Sequence, residues 1–224
     1  MSARATTRST APPPISREGR ASLLRLACHS IDAAIAGAAA PPVDVASLPA
    51  DVLEPASAFV TLREDGELRG CMGRLDEGVP CWRNVVSAAQ SAAVDDPRFT
   101  PVDVSERSRL EVEISVLGPF VEVDDPADVI AGLHGIVVER GGRRALLLPQ
   151  VAPENGWGTI EMLSACCWKA GLPQDAWRYR DTRLLAFTAL VFGTADEIAA
   201  EDRADEDAED TADEDAEDTA DASV

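Results

Sequence analysis

The sequence predicts an α+β fold, an antiparallel-rich sheet flanked by helices and followed by a disordered acidic tail. Two pairs of strand-like runs are each joined by a glycine turn, at Asp65-Gly66 and at Gly141-Gly142, which is the chemistry of a β-hairpin. Helical segments fall irregularly among the strands and not in the repeating order of a doubly wound parallel sheet. From Asp196 onward the chain carries 15 acidic residues and one arginine. Such a segment has too little apolar surface to build a core.

The elements can be taken in order. Residues 1–15 read as disordered: they hold arginines, serines and three consecutive prolines but no apolar core of a signal peptide. Ser16 is placed to cap a helix whose apolar face is Leu24, Ala27, Cys28, Ile31 and Ile35, ending near Gly37. A proline-broken connector follows. Residues 58–63 and 68–75 form the first hairpin. Pro80 opens a helix that Asp95-Asp96-Pro97 stops. Leu110, Val112, Ile114 and Val116 alternate with Glu111, Glu113 and Ser115, the pattern of a half-buried strand. A second hairpin spans 135–148, a helix spans 159–170 with Gly171 closing it, and a final strand spans 184–192. Residues 16–195 thus form one α+β domain and residues 196–224 the tail, within which ADEDAEDT occurs twice in tandem. The tail reads as a solubilising appendage or a partner-binding segment.

The net charge of -20 resides mostly in that tail, so the body is only mildly acidic. No basic stripe is left to neutralise phosphates, and no nucleic-acid binding is expected. No apolar run approaches the roughly 20 residues that span a bilayer. The odd count of 5 cysteines fits free thiols in a reducing compartment, and a cytoplasmic location is expected. Phosphate-loop, dinucleotide, nucleophile-elbow and zinc-ligand motifs are missing, so neither a cofactor nor a metal is expected.

The remaining chemistry gathers around Arg69-Gly70-Cys71-Met72-Gly73. In a regular strand Arg69, Cys71 and Gly73 share one face. An arginine beside a thiol there favours the thiolate, and Gly70 and Gly73 leave room for a ligand or for backbone. The alternative is a small buried cysteine in a tight strand. Asp96 and Arg98 form a second candidate, either an anion grip or a helix-stop turn with its own ion pair. Glu113 lies on the polar face of its strand. His134 is the residue type suited to acid–base work, but it also suits a loop cap. Lys169, the single lysine among 20 basic residues, sits in a last helical turn where a cation complements the dipole.

Six ordered blocks carry a family resemblance: AFVTLREDGELRGCMG at 58–73, DDPRFTPV at 95–102, LEVEISVLGP at 110–119, GLHGIVVERGGRRALLLPQVAPENGW at 132–157, CWKAGL at 167–172 and FTALVF at 187–192. With these blocks, residues 20–193 resemble the AMMECR domain family. Met72 stands where that family usually has isoleucine, and the repeated acidic tail has no family counterpart. The resemblance implies two unequal α+β lobes, the larger holding both chain ends, with a cleft at the Arg-Gly-Cys motif. It implies Cys71, Glu113 and His134 as catalytic candidates and Arg69, Gly70, Gly73, Asp96, Arg98 and Lys169 as ligand contacts. It further implies a Memo-like protein and a radical-SAM protein as partners in a three-part modification system. Three roles stay open at this stage: a Cys71 nucleophile, a binding module using Arg69 and Arg98, and a scaffold.

Overall fold

Ser16 starts the first helix as its sequence foretells. Its hydroxyl accepts the Gly19 N–H at 3.0 Å, and α1 runs Arg17–Ile35. The computed structural model describes residues 10–40 and 42–195; the tail at 196–224 lies outside these. The buried face of α1 is Leu23, Leu24, Ala27 and Ile31, which keeps Leu24, Ala27 and Ile31 of the expected face, adds Leu23 and leaves Cys28 and Ile35 at the margin. The connector holds only a 3₁₀ turn and a one-turn helix, α2 (Ala50–Leu53). The first hairpin is β1 (Ala58–Glu64) and β2 (Glu67–Arg74), turning through positive φ at Asp65 and Gly66. Helix α3 (Cys81–Val94) and strand β3 (Leu110–Leu117) follow.

Beyond Leu117 the chain enters a second sheet. It is built from β4 (Val121–Glu122), β5 (Gly135–Arg140), β6 (Arg143–Leu147) and β7 (Arg183–Phe187), with α4 (Val151–Glu154) and α5 (Thr159–Lys169) between the last two. The chain then returns to the first sheet as β8 (Ala189–Gly193). The strand expected over 184–192 is therefore two strands in different sheets, parted at Thr188. The run is apolar almost throughout and suits both sheets, so composition alone does not mark the crossing. The sheet orders are β2-β1-β3-β8 and β4-β7-β5-β6, antiparallel throughout.

Three apolar layers hold these sheets. Ala58, Val60, Leu62, Val112 and Ile114 face α1 and α3. Ile136, Val138, Ala145 and Leu147 face α5. Between the sheets lie Leu117, Val137, Leu146, Leu148, Leu185 and Phe187, with Phe120 edge-on to Phe187 at 5.2 Å. Each fully buried aliphatic side chain contributes about 1.5–3 kcal/mol. The second face of β3 is accordingly not solvated along its whole length: Ser115 and Leu117 are buried, Glu113 is half-buried and Glu111 is exposed. Among the described residues no helix is long and apolar enough to cross a membrane.

Residues 10–15 depart from the expected disorder. Ile15 is buried, and the Thr10 carbonyl accepts from both the N–H and the Oγ1 of Thr188, at 3.2 and 2.7 Å. Prolines hold this segment extended and bring no unmatched N–H groups with them, so laying it along a seam leaves few donors unsatisfied.

The outer edge of β2 is pinned by side chains. Leu62 pairs with Gly70 while Arg63 pairs with Leu68, leaving Arg69 as an extra, bulged residue. Arg69 reaches Glu106 in a bidentate pair at 2.7 and 3.0 Å and the carbonyls of Thr100 and Pro101. One step along, the Asp96 carboxylate accepts the Cys71 N–H at 2.8 Å, and Arg98 donates to the Cys71 carbonyl at 3.1 Å. These two side chains occupy the place of a neighbouring strand, which closes an otherwise exposed edge. Arg69 holds the Glu106 carboxyl down at about 2 from an ordinary 4.5. Arg98 and the Cys71 N–H hold Asp96 at about 2 from 3.8, against the opposing effect of burial.

Two outcomes follow from this arrangement. A Cβ on Gly70 would lie 2.2 Å from the Ala92 carbonyl oxygen on α3, so Gly70→Ala should cost about 1–3 kcal/mol in urea unfolding. Because both carboxyls are depressed on folding, their stabilisation is present above their ordinary values and lost as pH falls from 4.5 towards about 2. Urea midpoints measured at pH 7, 4 and 3 should fall across that window, and Glu106→Gln should flatten the fall.

Candidate functional site

The bulge decides which way Cys71 faces. A regular ladder closing at Glu64 and Glu67 would set Cys71 opposite Val60, whose side chain lies under the helices. With Arg69 bulged, Cys71 pairs instead with Thr61, and both turn to the other side. There they line a cleft of about 140 Å³ between the two sheets. Its first wall is the free face of sheet one: Phe59, Thr61 and Arg63 from β1, Leu68 and Cys71 from β2, and Glu113 from β3. The second wall comes from the other lobe, with Leu146 and Leu148 at the end of β6, Gln150 and Val151 at the start of α4, and Lys169 from α5.

Polar contacts within the cleft are specific. Thr61 Oγ1 donates towards Cys71 Sγ at 3.4 Å. Gln150 Nε2 donates to Glu113 Oε1 and to the buried Ser115 Oγ, both at 3.1 Å, so one amide bridges the lobes. The amide orientation follows from its partners, since a carboxylate can only accept. Gln150 Oε1 is then buried with no hydrogen-bond partner among the described residues. Arg63 pairs with Glu154 at 2.5 Å across the mouth. Lys169 Nζ donates to the Leu146 carbonyl at 2.9 Å, capping the edge of β6 and standing in the cleft wall, a role beyond complementing its helix dipole.

The expected residues divide between cleft and frame. Cys71, Arg98, Glu113 and Lys169 line the cleft. Arg69 does not. Its side chain is committed to Glu106, so the arginine facing the thiol is Arg98, whose own pKa is raised by its pairing with Asp96 and, to a lesser degree, by the neighbouring Cys71. The shared face expected for Arg69 and Cys71 fails because a bulge breaks strict alternation. Asp96 is buried behind the strand as the clamp on Cys71. Gly70 admits the Ala92 carbonyl on the helix side, and Gly73 admits the Phe59 ring, 2.4 Å from where its Cβ would be; their missing side chains make room for protein, not for a ligand. His134 lies away from the cleft lining. Its Nδ1 accepts the Ile130 N–H at 3.1 Å and its own N–H bonds the Ile130 carbonyl, the geometry of a loop cap. Thr61, Arg63, Gln150 and Glu154 were not singled out from sequence. The hairpin register could have offered Thr61, but no local signal marks Gln150.

What this arrangement can do chemically is limited and definite. It offers one half-buried thiol, cations at Arg98 and Lys169, a carboxylate at Glu113 and an apolar floor. Among the described residues no group of three or more His, Cys, Asp or Glu side chains is placed to hold a metal ion.

Comparison with known proteins places this geometry. A family model described as AMMECR1 matches residues 24–192. A protein of Methanothermobacter thermautotrophicus is 41% identical over 187 residues, covering 80% of this chain and 96% of its own. A protein of Methanopyrus kandleri is 47% identical over 148 residues, covering 62% and 72%. The crystal structure of an uncharacterized protein from Pyrococcus horikoshii, PH0010, superposes with a TM-score of 0.75 at 37% identity, covering 80% of this chain and 93% of that one. The bulged edge strand and its cleft thus sit within a domain found in archaeal relatives, and the chain belongs to the AMMECR1 family.

Proposed function

We propose that the inter-lobe cleft is the working site of the protein. It receives a ligand or polypeptide that carries an anionic group against Arg98 and Lys169, and Cys71 is the thiol presented to that ligand. The observation that carries this reading is the register shift at Arg69. A cysteine needed only for packing is served by the regular ladder, in which it would face the helices. The shift instead uses an extra residue and a partly exposed ion-pair clamp to turn the thiol outward.

Among the described residues none accepts a hydrogen bond from the Cys71 thiol. His134 is committed elsewhere, and Glu113 is held by Gln150. Binding is therefore the primary role, and thiol chemistry proceeds only when the ligand or a partner supplies the proton acceptor. This dependence suits one component of a modification system, acting with a Memo-like protein and a radical-SAM protein, as the family resemblance implies. A purely catalytic reading, with Cys71 as an independent nucleophile, is favoured only by the Thr61 hydroxyl aimed at the sulfur.

Reactivity and function can be tested separately. Iodoacetamide should modify Cys71 at least tenfold faster than Cys81, Cys166 and Cys167, each at 0% exposure, when peptides are followed by mass spectrometry. In a host lacking its own relative, Cys71→Ser should reduce complementation at least tenfold, with thermal stability within a few degrees of the parent. Lys169→Met should weaken it as well. Full activity of the serine variant alongside an inactive Lys169→Met would remove thiol chemistry and leave binding alone. Full activity of both would dismiss the cleft. Retention of Memo-like and radical-SAM proteins from the same genome on the immobilised chain tests the system reading; no retention defeats that part by itself.

A further inference from the structure

The chain crosses between the lobes twice, through Gly118-Pro119-Phe120 on the way out and through Thr188 on the way back. The two crossings are bonded to each other, since the Gly118 N–H donates to the Thr188 carbonyl at 2.9 Å. A third, extended segment lies on them. Both the N–H and the Oγ1 of Thr188 donate to the Thr10 carbonyl, and Gly118 is buried directly beneath that residue. A Cβ on Gly118 would stand 2.0 Å from the Thr10 oxygen and 2.8 Å from the Ala11 carbonyl carbon. The strap is anchored downstream by buried Ile15 and by the Ser16 N–H, which donates to Asp51 at 2.7 Å. Beside it a cavity of about 330 Å³ runs along Pro55, Ser57 and Pro119, so the strap fills only part of its groove and has room to leave.

We propose that residues 10–14 are a latch on the inter-lobe hinge, and that their seating sets the opening of the cleft around Cys71. Two crossings alone form a narrow ribbon about which the lobes can turn. A third segment bonded to Thr188 and fixed to the first lobe stiffens that ribbon. Beyond the apolar layer of Leu117, Leu146, Leu148 and Phe187 the lobes are joined by the Gln150 amide to Glu113 and Ser115 and by Arg63 to Glu154, so a small turn at the hinge is felt as a change in the gap those contacts span. Released, the strap frees the cleft to widen; seated, it holds the cleft at its present width. This inference does not depend on thiol chemistry, because Cys71 serves only as a reporter of cleft opening.

Gly118 makes the idea testable in the full chain. Its φ is not in the left-handed region, so alanine is conformationally allowed there and the close obstacles are the strap atoms. In Gly118→Ala the Thr188 amide should exchange with deuterium at least tenfold faster, and Cys71 should react with iodoacetamide several-fold faster. Thr188→Val, which removes the Oγ1 donor, should move both readings in the same direction by less. The double variant should match Gly118→Ala alone, because both changes release one contact. Unchanged Thr188 exchange in Gly118→Ala would overturn the latch. Faster exchange with unchanged Cys71 reactivity would overturn its control of the cleft. Additive effects in the double variant would show the hinge itself, and not the strap, to be displaced, and would equally overturn the proposal.

Discussion

The pairing of Arg69 with Glu106 is the interaction on which the rest of the site depends. It anchors one extra residue in an edge strand, and that extra residue reverses every side chain after it. Cys71 comes to the cleft face beside Thr61, while Gly70, Met72 and Arg74 take the helix face. Arg74 there meets Ser87 and Ser91 on α3 at 2.8 Å. The Asp96 clamp then seals the edge just where the bulge has disturbed the ladder. A bidentate charged pair suits this task because it fixes direction as well as distance.

The Arg69-to-Gly73 motif therefore distributes its labour. Arg69 shapes the strand, Gly70 lets α3 approach, Cys71 alone faces the cleft, and Gly73 accommodates Phe59 on the strand opposite. Each residue type is demanded by a different neighbour. The run is short because four constraints from three elements meet on one edge, and the chemistry of the thiol enters only at one of them.

Much of the fold was legible because it is written in local terms. The Asp65-Gly66 turn, the Ser16 cap, the Asp95-Asp96-Pro97 stop and the β3 alternation each need only a few adjacent residues. What stayed hidden was long-range. The bulge is held by Glu106, 37 residues from Arg69, and a strict alternation argument has no means of anticipating it. The break at Thr188 separates two runs that would both read as strand wherever they were placed. Gln150 acquires its role only when β6 and β3 are brought together. A cleft does adjoin the motif, but its orientation differs from strict alternation, since Arg98 and not Arg69 stands with the sulfur.

The sheet order carries a consequence for how the molecule is made. Residues 121–187, the whole of the second sheet with its helices, lie between β3 and β8 of the first. As the chain emerges from a ribosome, the smaller lobe is complete before the larger one can be. Until residues 189–193 appear, β3 presents an open edge and the first sheet lacks its last strand. The inserted lobe thus folds as an uninterrupted unit, and its closure brings Thr188 back to Gly118 so that β8 can dock. Long-range strand pairing of this kind is slow and exposes edges while it waits. Completion of the cleft therefore waits on the end of the domain, since one of its walls rests on a sheet that residues 189–193 complete.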